Sequence, residues 1–236
     1  MTRGNFRFEI CANGVESCLA AQKGGADRVE LCAGIPEGGT TPSYGEILQA
    51  RQLLTTTRLH VIIRPRGGNF VYSSLELERM RTDISIARKL GADGVVFGCL
   101  TPDGEVDTEA CRALMQVSKG MSVTFHRAFD RAAEPFQALE DIIRLGCDRI
   151  LTSGQQPKAE QGIPLLKELH HHADGRIILL AGSGVNEENI AHIHRETGIR
   201  EFHFSAREPI STDAEFGDRM QTTEQRVRNT ILALTT

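Results

Sequence analysis

Eight times between Phe6 and Thr236 a short apolar run is followed by a stretch compatible with helix, and this alternation leaves a chain very few folds. The runs are FRFEICA (Phe6 to Ala12), RVELC (Arg28 to Cys32), LHVIIRP (Leu59 to Pro65), GVVFGCL (Gly94 to Leu100), SVTFHRAF (Ser122 to Phe129), RILTSG (Arg149 to Gly154), IILLAGSG (Ile177 to Gly184) and EFHFSA (Glu201 to Ala206). The last run meets its helix only after a long loop, Arg207 to Thr222. Strict alternation implies right-handed crossovers between parallel strands. Eight such units in 236 residues predict an α/β fold, a (β/α)8 TIM barrel occupying residues 1–236 as a single domain. An open doubly wound sheet is the alternative that periodicity leaves standing.

Composition bounds the class. Apolar residues make up 40% and charged residues 25%, enough to bury a sizeable core, and no Ser/Pro-rich linker interrupts the repeats. The 27 basic and 31 acidic side chains leave a net charge of −4, which gives no bulk attraction to nucleic acid or to an anionic membrane. No apolar run approaches the roughly 20 residues needed to span a bilayer, and MTRGNFRFEI lacks the apolar centre of a signal peptide. The expectation is a cytoplasmic protein whose six cysteines are reduced thiols. Outward-facing barrel helices would also permit a homo-oligomer.

Residue parity along each strand states what points into the barrel. Phe8 and Ile10 share the helix-facing side of the first strand, which turns Arg7, Glu9 and Cys11 inward; Arg28, Glu30 and Cys32 follow from the second strand. His60, Ile62 and Arg64, then Thr124 and His126, then Glu201, His203 and Ser205 complete an unusually polar interior. Buried charge needs mutual pairing, and a buried Glu30–Arg64 pair is one expected partnership. Glu9, Glu30, Arg64, His126 and His203 are the candidate catalytic set: a carboxylate as base, an imidazole as acid or electrophile.

The connections after the strands point to the same end. Ala33 to Ser43, Arg66 to Ser74 and Arg207 to Thr222 are long and polar or glycine-rich, whereas the opposite turns are short. Gly182, Ser183 and Gly184 after the seventh strand, with Ser205 and Arg207 after the eighth, have the composition of an anion site near a helix start, with Asn186 as helix cap. Ser153, in the TSGQ segment from Thr152 to Gln155, would add a contact to the same ligand. Among the cysteines, Cys11 and Cys32 lie near the ends of adjacent strands and form the candidate metal pair; thiolates favour soft ions such as Cu(I). Parity turns Cys99 toward the helices.

Taken together, GADRVELCAGIPEGGTTPSYG, VIIRPRGGNFVYS, VTFHRAFD, LTSGQ, LLAGSGV and FHFSAR resemble the CutC family, named as copper homeostasis proteins, from the first strand to the last. The resemblance implies a cytoplasmic TIM barrel with a role in copper homeostasis or copper binding. It places Glu30 and Cys32, Arg64 and Arg66, and His126, Arg127 and Asp130 in one shared site. Where many members carry two adjacent cysteines at the first strand end, this chain has Cys11 followed by Ala12. Two functions therefore stand: a copper-binding protein, or a metal-independent barrel enzyme acting on a small phosphorylated or carboxylated metabolite. The corresponding partners are a copper ion or a small anionic ligand.

Overall fold

In the computed structural model, which describes residues 4–211 and 218–235, the polypeptide forms the expected barrel. Strands β1 (Arg7–Ala12), β2 (Arg28–Leu31), β3 (Arg58–Ile62), β4 (Gly94–Phe97), β5 (Ser122–Phe125), β6 (Arg149–Thr152), β7 (Ile178–Gly182) and β8 (Glu201–Phe204) neighbour one another in sequence order. β8 pairs in parallel with β1, with His203 beside Glu9, so the sheet closes and the open-sheet alternative falls. Helices α1 (Val15–Gly24), α2 (Tyr44–Leu53), α3 (Ser74–Lys89), α4 (Thr108–Val117), α5 (Pro135–Leu145), α6 (Ile163–Ala173), α7 (Ile190–Thr197) and α8 (Glu224–Thr235) follow the strands in turn. Phe8, Ile10, Val29, Leu31, Leu59, Val61, Val95, Phe97, Phe125 and Phe202 are fully buried, as a strand face covered by helices requires.

Local sequence sets where the site loops stop. Ser43 and Ser73 each accept a hydrogen bond from the backbone of the glutamate three residues on, while the carboxylates of Glu46 and Glu76 accept one from the serine N–H. These two capping boxes start α2 and α3 directly after the long loops that cover the carboxyl ends of β2 and β3.

Several expectations need correction. The fifth strand ends at Phe125, not Phe129, because Arg127–Arg131 turns into a short 3₁₀ segment begun by His126. The long connection after β8 is not all loop: β9 (Arg207–Ser211) and β10 (Arg219–Thr222) pair antiparallel, while residues 212–217 of that stretch lie outside the described residues. Arg7 does not enter the barrel; it opens its strand at the amino end and is half exposed, within 3.9 Å of Asp27. Asn186 does not cap α7, whose first turn begins after Asn189; its side chain instead accepts from the Glu188 N–H.

Candidate functional site at the barrel mouth

A cavity of about 300 Å³ opens at the carboxyl ends of the strands. Cys11, Glu30, Cys32 and His203 form one wall; Arg64, His126 and Arg127 another; Ser183, Gly184, Ser205 and Arg207 a third. Of the residues singled out from sequence, these eleven come together.

The thiol wall follows from strand pairing. Cys11 and Glu30 are register partners on β1 and β2, and Cys32 continues the inward face one step beyond β2. The two Sγ atoms share a hydrogen bond at 3.9 Å, and a carboxylate oxygen of Glu30 lies with them in a group spanning no more than 4.8 Å. The hydrogen bond with Cys32, reinforced by His203, holds the Cys11 thiol well below its usual range against the opposing effect of burial. The same bond, together with burial, pushes Cys32 up, so Cys11 is the more acidic of the two thiols. Burial raises the Glu30 carboxyl to about 8, with His203 only partly opposing it.

Glu9 lies beneath this wall, fully buried, and does not line the cavity. Its carboxylate accepts from Arg28 and from His203 Nδ1 at 2.7 Å, while Arg28 reaches on to Glu201 at 2.9 Å. Burial would raise the Glu9 pKa, but Arg28 and His203 outweigh it and keep the carboxylate ionised. Conversely, His203 is held well above its usual range: burial opposes its charge, and the partners Cys11, Glu9 and Glu30 overcome that opposition. Glu9 therefore positions and charges His203, which in turn faces Glu30 with Nε2 at 3.6 Å. His60, at the same depth as Glu30 in the β2–β3 register, is driven by burial to about 3 and is neutral.

Arg64 does not pair with Glu30. Its guanidinium donates to the carbonyls of Glu37, Gly39 and Gly68, tying the β2 and β3 loops together over the barrel end. His126 is neutral too, lowered to about 3 by burial and then by Arg64. β4 makes room for both neutral imidazoles: a Cβ on Gly94 would lie 2.4 Å from His60 Nε2, and one on Gly98 would lie 2.8 Å from His126 Nδ1.

Four further candidates sit outside the cavity. Arg66 turns away to Glu76, at 2.6 Å, and to the carbonyls of Gly67, Asn69 and Val71. Asp130 accepts from Arg127 Nε, Thr152 Oγ1, Ser153 Oγ and the backbone of Ser153 and Gln155. Ser153 and its neighbours thus bind Asp130 rather than offering contacts to a ligand, and the cluster holds Arg127 at the cavity edge. Gly182 is packed beneath Leu151 and His203. Gly184 has φ of +71° with Lys158 against its face, so a side chain there is strained whatever the cavity holds.

Sequence reasoning passed over Arg149, which stands 3.5 Å from Glu201 in the buried network; its inward parity with Leu151 was the available signal. It also passed over the apolar lining by Ile35, Phe70 and Leu151. Phe70 lies in a site loop, where strand parity says nothing.

The chain has relatives of known family. The CutC family pattern matches residues 6–208. A family protein CutC of Bacteroides thetaiotaomicron is 65% identical over 97% of this chain and 98% of its own length. The human copper homeostasis protein cutC homolog is 47% identical over 89% of this chain and 77% of its own. The crystal structure of CutC from Streptococcus agalactiae superposes with a TM-score of 0.81 at 38% identity, over 85% of this chain and 98% of that one. Phosphoribosyl anthranilate isomerase from Thermotoga maritima, at 15% identity and a TM-score of 0.62, shares the fold alone. With the family pattern running from β1 to β9 and relatives above half identity along nearly their full length, the chain belongs to the CutC family.

Proposed function

We propose that the protein binds copper as Cu(I) between Cys11 and Cys32 and acts in copper homeostasis in the cytoplasm. The observation that carries this reading is the thiol pair, Cys32 buried and Cys11 partly so, hydrogen-bonded to each other at 3.9 Å beside Glu30. Two soft sulfurs with a single carboxylate suit Cu(I) far better than a hard cation. Replacing a thiol proton by a monovalent ion leaves the net charge of a nearly closed wall unchanged, whereas a divalent ion would add an uncompensated charge. The name of the human relative supports the same reading. So do the six free cysteines, which suit a reducing compartment. Anaerobic titration against a chromophoric Cu(I) chelator tests it. Wild type and Cys99→Ser should hold the metal, while Cys11→Ser and Cys32→Ser should release it; equal retention by all four would exclude the pair as the site.

A second reading, a metal-independent enzyme for a small phosphorylated or carboxylated metabolite, is favoured by one observation. Glu30, raised by burial to about 8, and neutral His126 line the same cavity, the arrangement that proton transfer uses.

A further inference from the structure

The thiols occupy one wall of a cavity much larger than a metal ion, and the opposite wall is formed by residues with polar atoms that have no partner among the described residues. His126 is 96% buried, with 4% of its surface exposed, and lines the cavity. Its Nδ1 accepts from the Ala128 N–H at 3.2 Å, which assigns the ring proton to Nε2. That Nε2–H has no partner among the described residues. Phe70 holds the ring from one side, centroids 4.9 Å apart, and Arg64 stacks on Phe70 at 5.0 Å. The Nε of Arg64, also buried, is unpartnered as well. Buried donors in folded proteins are nearly always hydrogen-bonded, so two of them on residues that line one cavity point to an absent acceptor. A metal is a poor occupant there, because the only free ring nitrogen of His126 bears a proton rather than a lone pair.

The chemistry of the acceptor follows from the lining. Three guanidinium groups, those of Arg64, Arg127 and Arg207, face a single carboxylate, Glu30, so the cavity favours an anion. Arg127 is fixed in place by Asp130 and Ser153 rather than left flexible. Ile35, Ile62 and Leu151 supply an apolar floor, and the volume of about 300 Å³ admits only a compact molecule.

We propose that the mouth cavity binds a small organic anion bearing a carbonyl or hydroxyl oxygen, which accepts a hydrogen bond from His126 Nε2–H while its carboxylate or phosphate group meets the arginines. The site supplies the ligand class for the second reading above, and it does not depend on copper.

The test uses the full chain at constant ionic strength. Pyruvate and dihydroxyacetone phosphate are titrated separately by calorimetry, with the His126 side-chain ¹⁵N resonances followed in parallel and chloride as control. At least one titrant should bind with a dissociation constant of about 1 mM or lower and shift the Nε2 resonance, and the arm that binds identifies carboxylate or phosphate as the anionic group. His126→Phe should weaken binding by at least about tenfold. It should leave Cu(I) retention unchanged, and Cys11→Ser, which loses the metal, should still bind the anion and shift Nε2, which separates the failure of this site from the failure of the copper site. Should the phenylalanine variant not fold, the wild-type Nε2 shift alone decides. No response to either titrant beyond the chloride control up to about 20 mM, or binding that leaves Nε2 unmoved, overturns the proposal.

Discussion

Replacing Glu9 by glutamine removes one charge at the centre of the barrel while preserving its shape. In the wild type Glu9 is fully buried and accepts from Arg28 and His203, with His60 Nδ1 at 3.9 Å. Removing one partner from a buried ion pair costs about 3–5 kcal/mol, and the lower end applies because Arg28 keeps Glu201. For a chain of this length each kcal/mol lowers Tm by roughly 2–4 °C, so Glu9→Gln should melt roughly 6–12 °C below wild type. The sign with pH is definite. A carboxyl whose folded pKa is depressed stabilises above its unfolded value near 4.5 and loses that contribution as pH falls through the folded value. The gap between wild type and variant should therefore be full at neutral pH and close in strong acid. His203 would lose the negative charge that helps keep it cationic, and the Cys11 thiol would rise in turn. Differential scanning calorimetry from acid to neutral pH, with the pH profile of Cys11 alkylation, reads both effects. A Tm loss below roughly 3 °C at neutral pH with an unmoved alkylation profile would refute the buried network.

Other consequences are equally measurable. Asp130→Ala strips partners from Thr152, Ser153, Gln155 and Arg127 at once and should cost about 3 kcal/mol in urea unfolding; a loss under about 1 kcal/mol would mean the cluster is not formed. Gly94→Ala places a methyl against His60 and should destabilise by about 1–3 kcal/mol, with His60→Ala recovering much of the loss; strictly additive effects would contradict the contact. His60 and His126 are neutral in the fold, both at about 3, so the unfolded chain binds more protons between about pH 3 and 6.5 and stability should fall by several kcal/mol as pH drops through that window. His126→Gln should flatten that slope, and an unchanged slope would show that the imidazole is hydrated. Iodoacetamide near pH 7 should label Cys11 before Cys18 and Cys147, both raised by burial; uniform labelling would contradict the depressed thiol.

How much of this could be read in the sequence depends on which degree of freedom was involved. The period of two along a strand is a local property, so Glu30, His126 and His203 were correctly turned inward and Cys99 outward. Arg7 failed because the rule holds only within the barrel, and its strand begins at the rim. Partner choice was illegible: Arg64 prefers loop carbonyls to Glu30, and the placement of Glu37, Gly39 and Gly68 carbonyls follows from loop geometry that no periodicity encodes. The same holds for Arg66, whose side chain folds back on its own loop, and for Asp130, which reaches across to Thr152, Ser153 and Gln155 after β6. The β9–β10 hairpin escaped notice because REPIS carries Pro209 and a mostly exposed face, which erases the alternation that marks a strand.

X-ray absorption at the copper edge of the anaerobically loaded protein probes the pairing of Cys11 and Cys32 most directly. A Cu(I) edge with a first shell of sulfur, replaced by oxygen and nitrogen scattering in Cys11→Ser, is the expected result. A shell of nitrogen and oxygen in the wild type, or a sulfur shell unaffected by Cys11→Ser, would contradict copper binding between the two thiols.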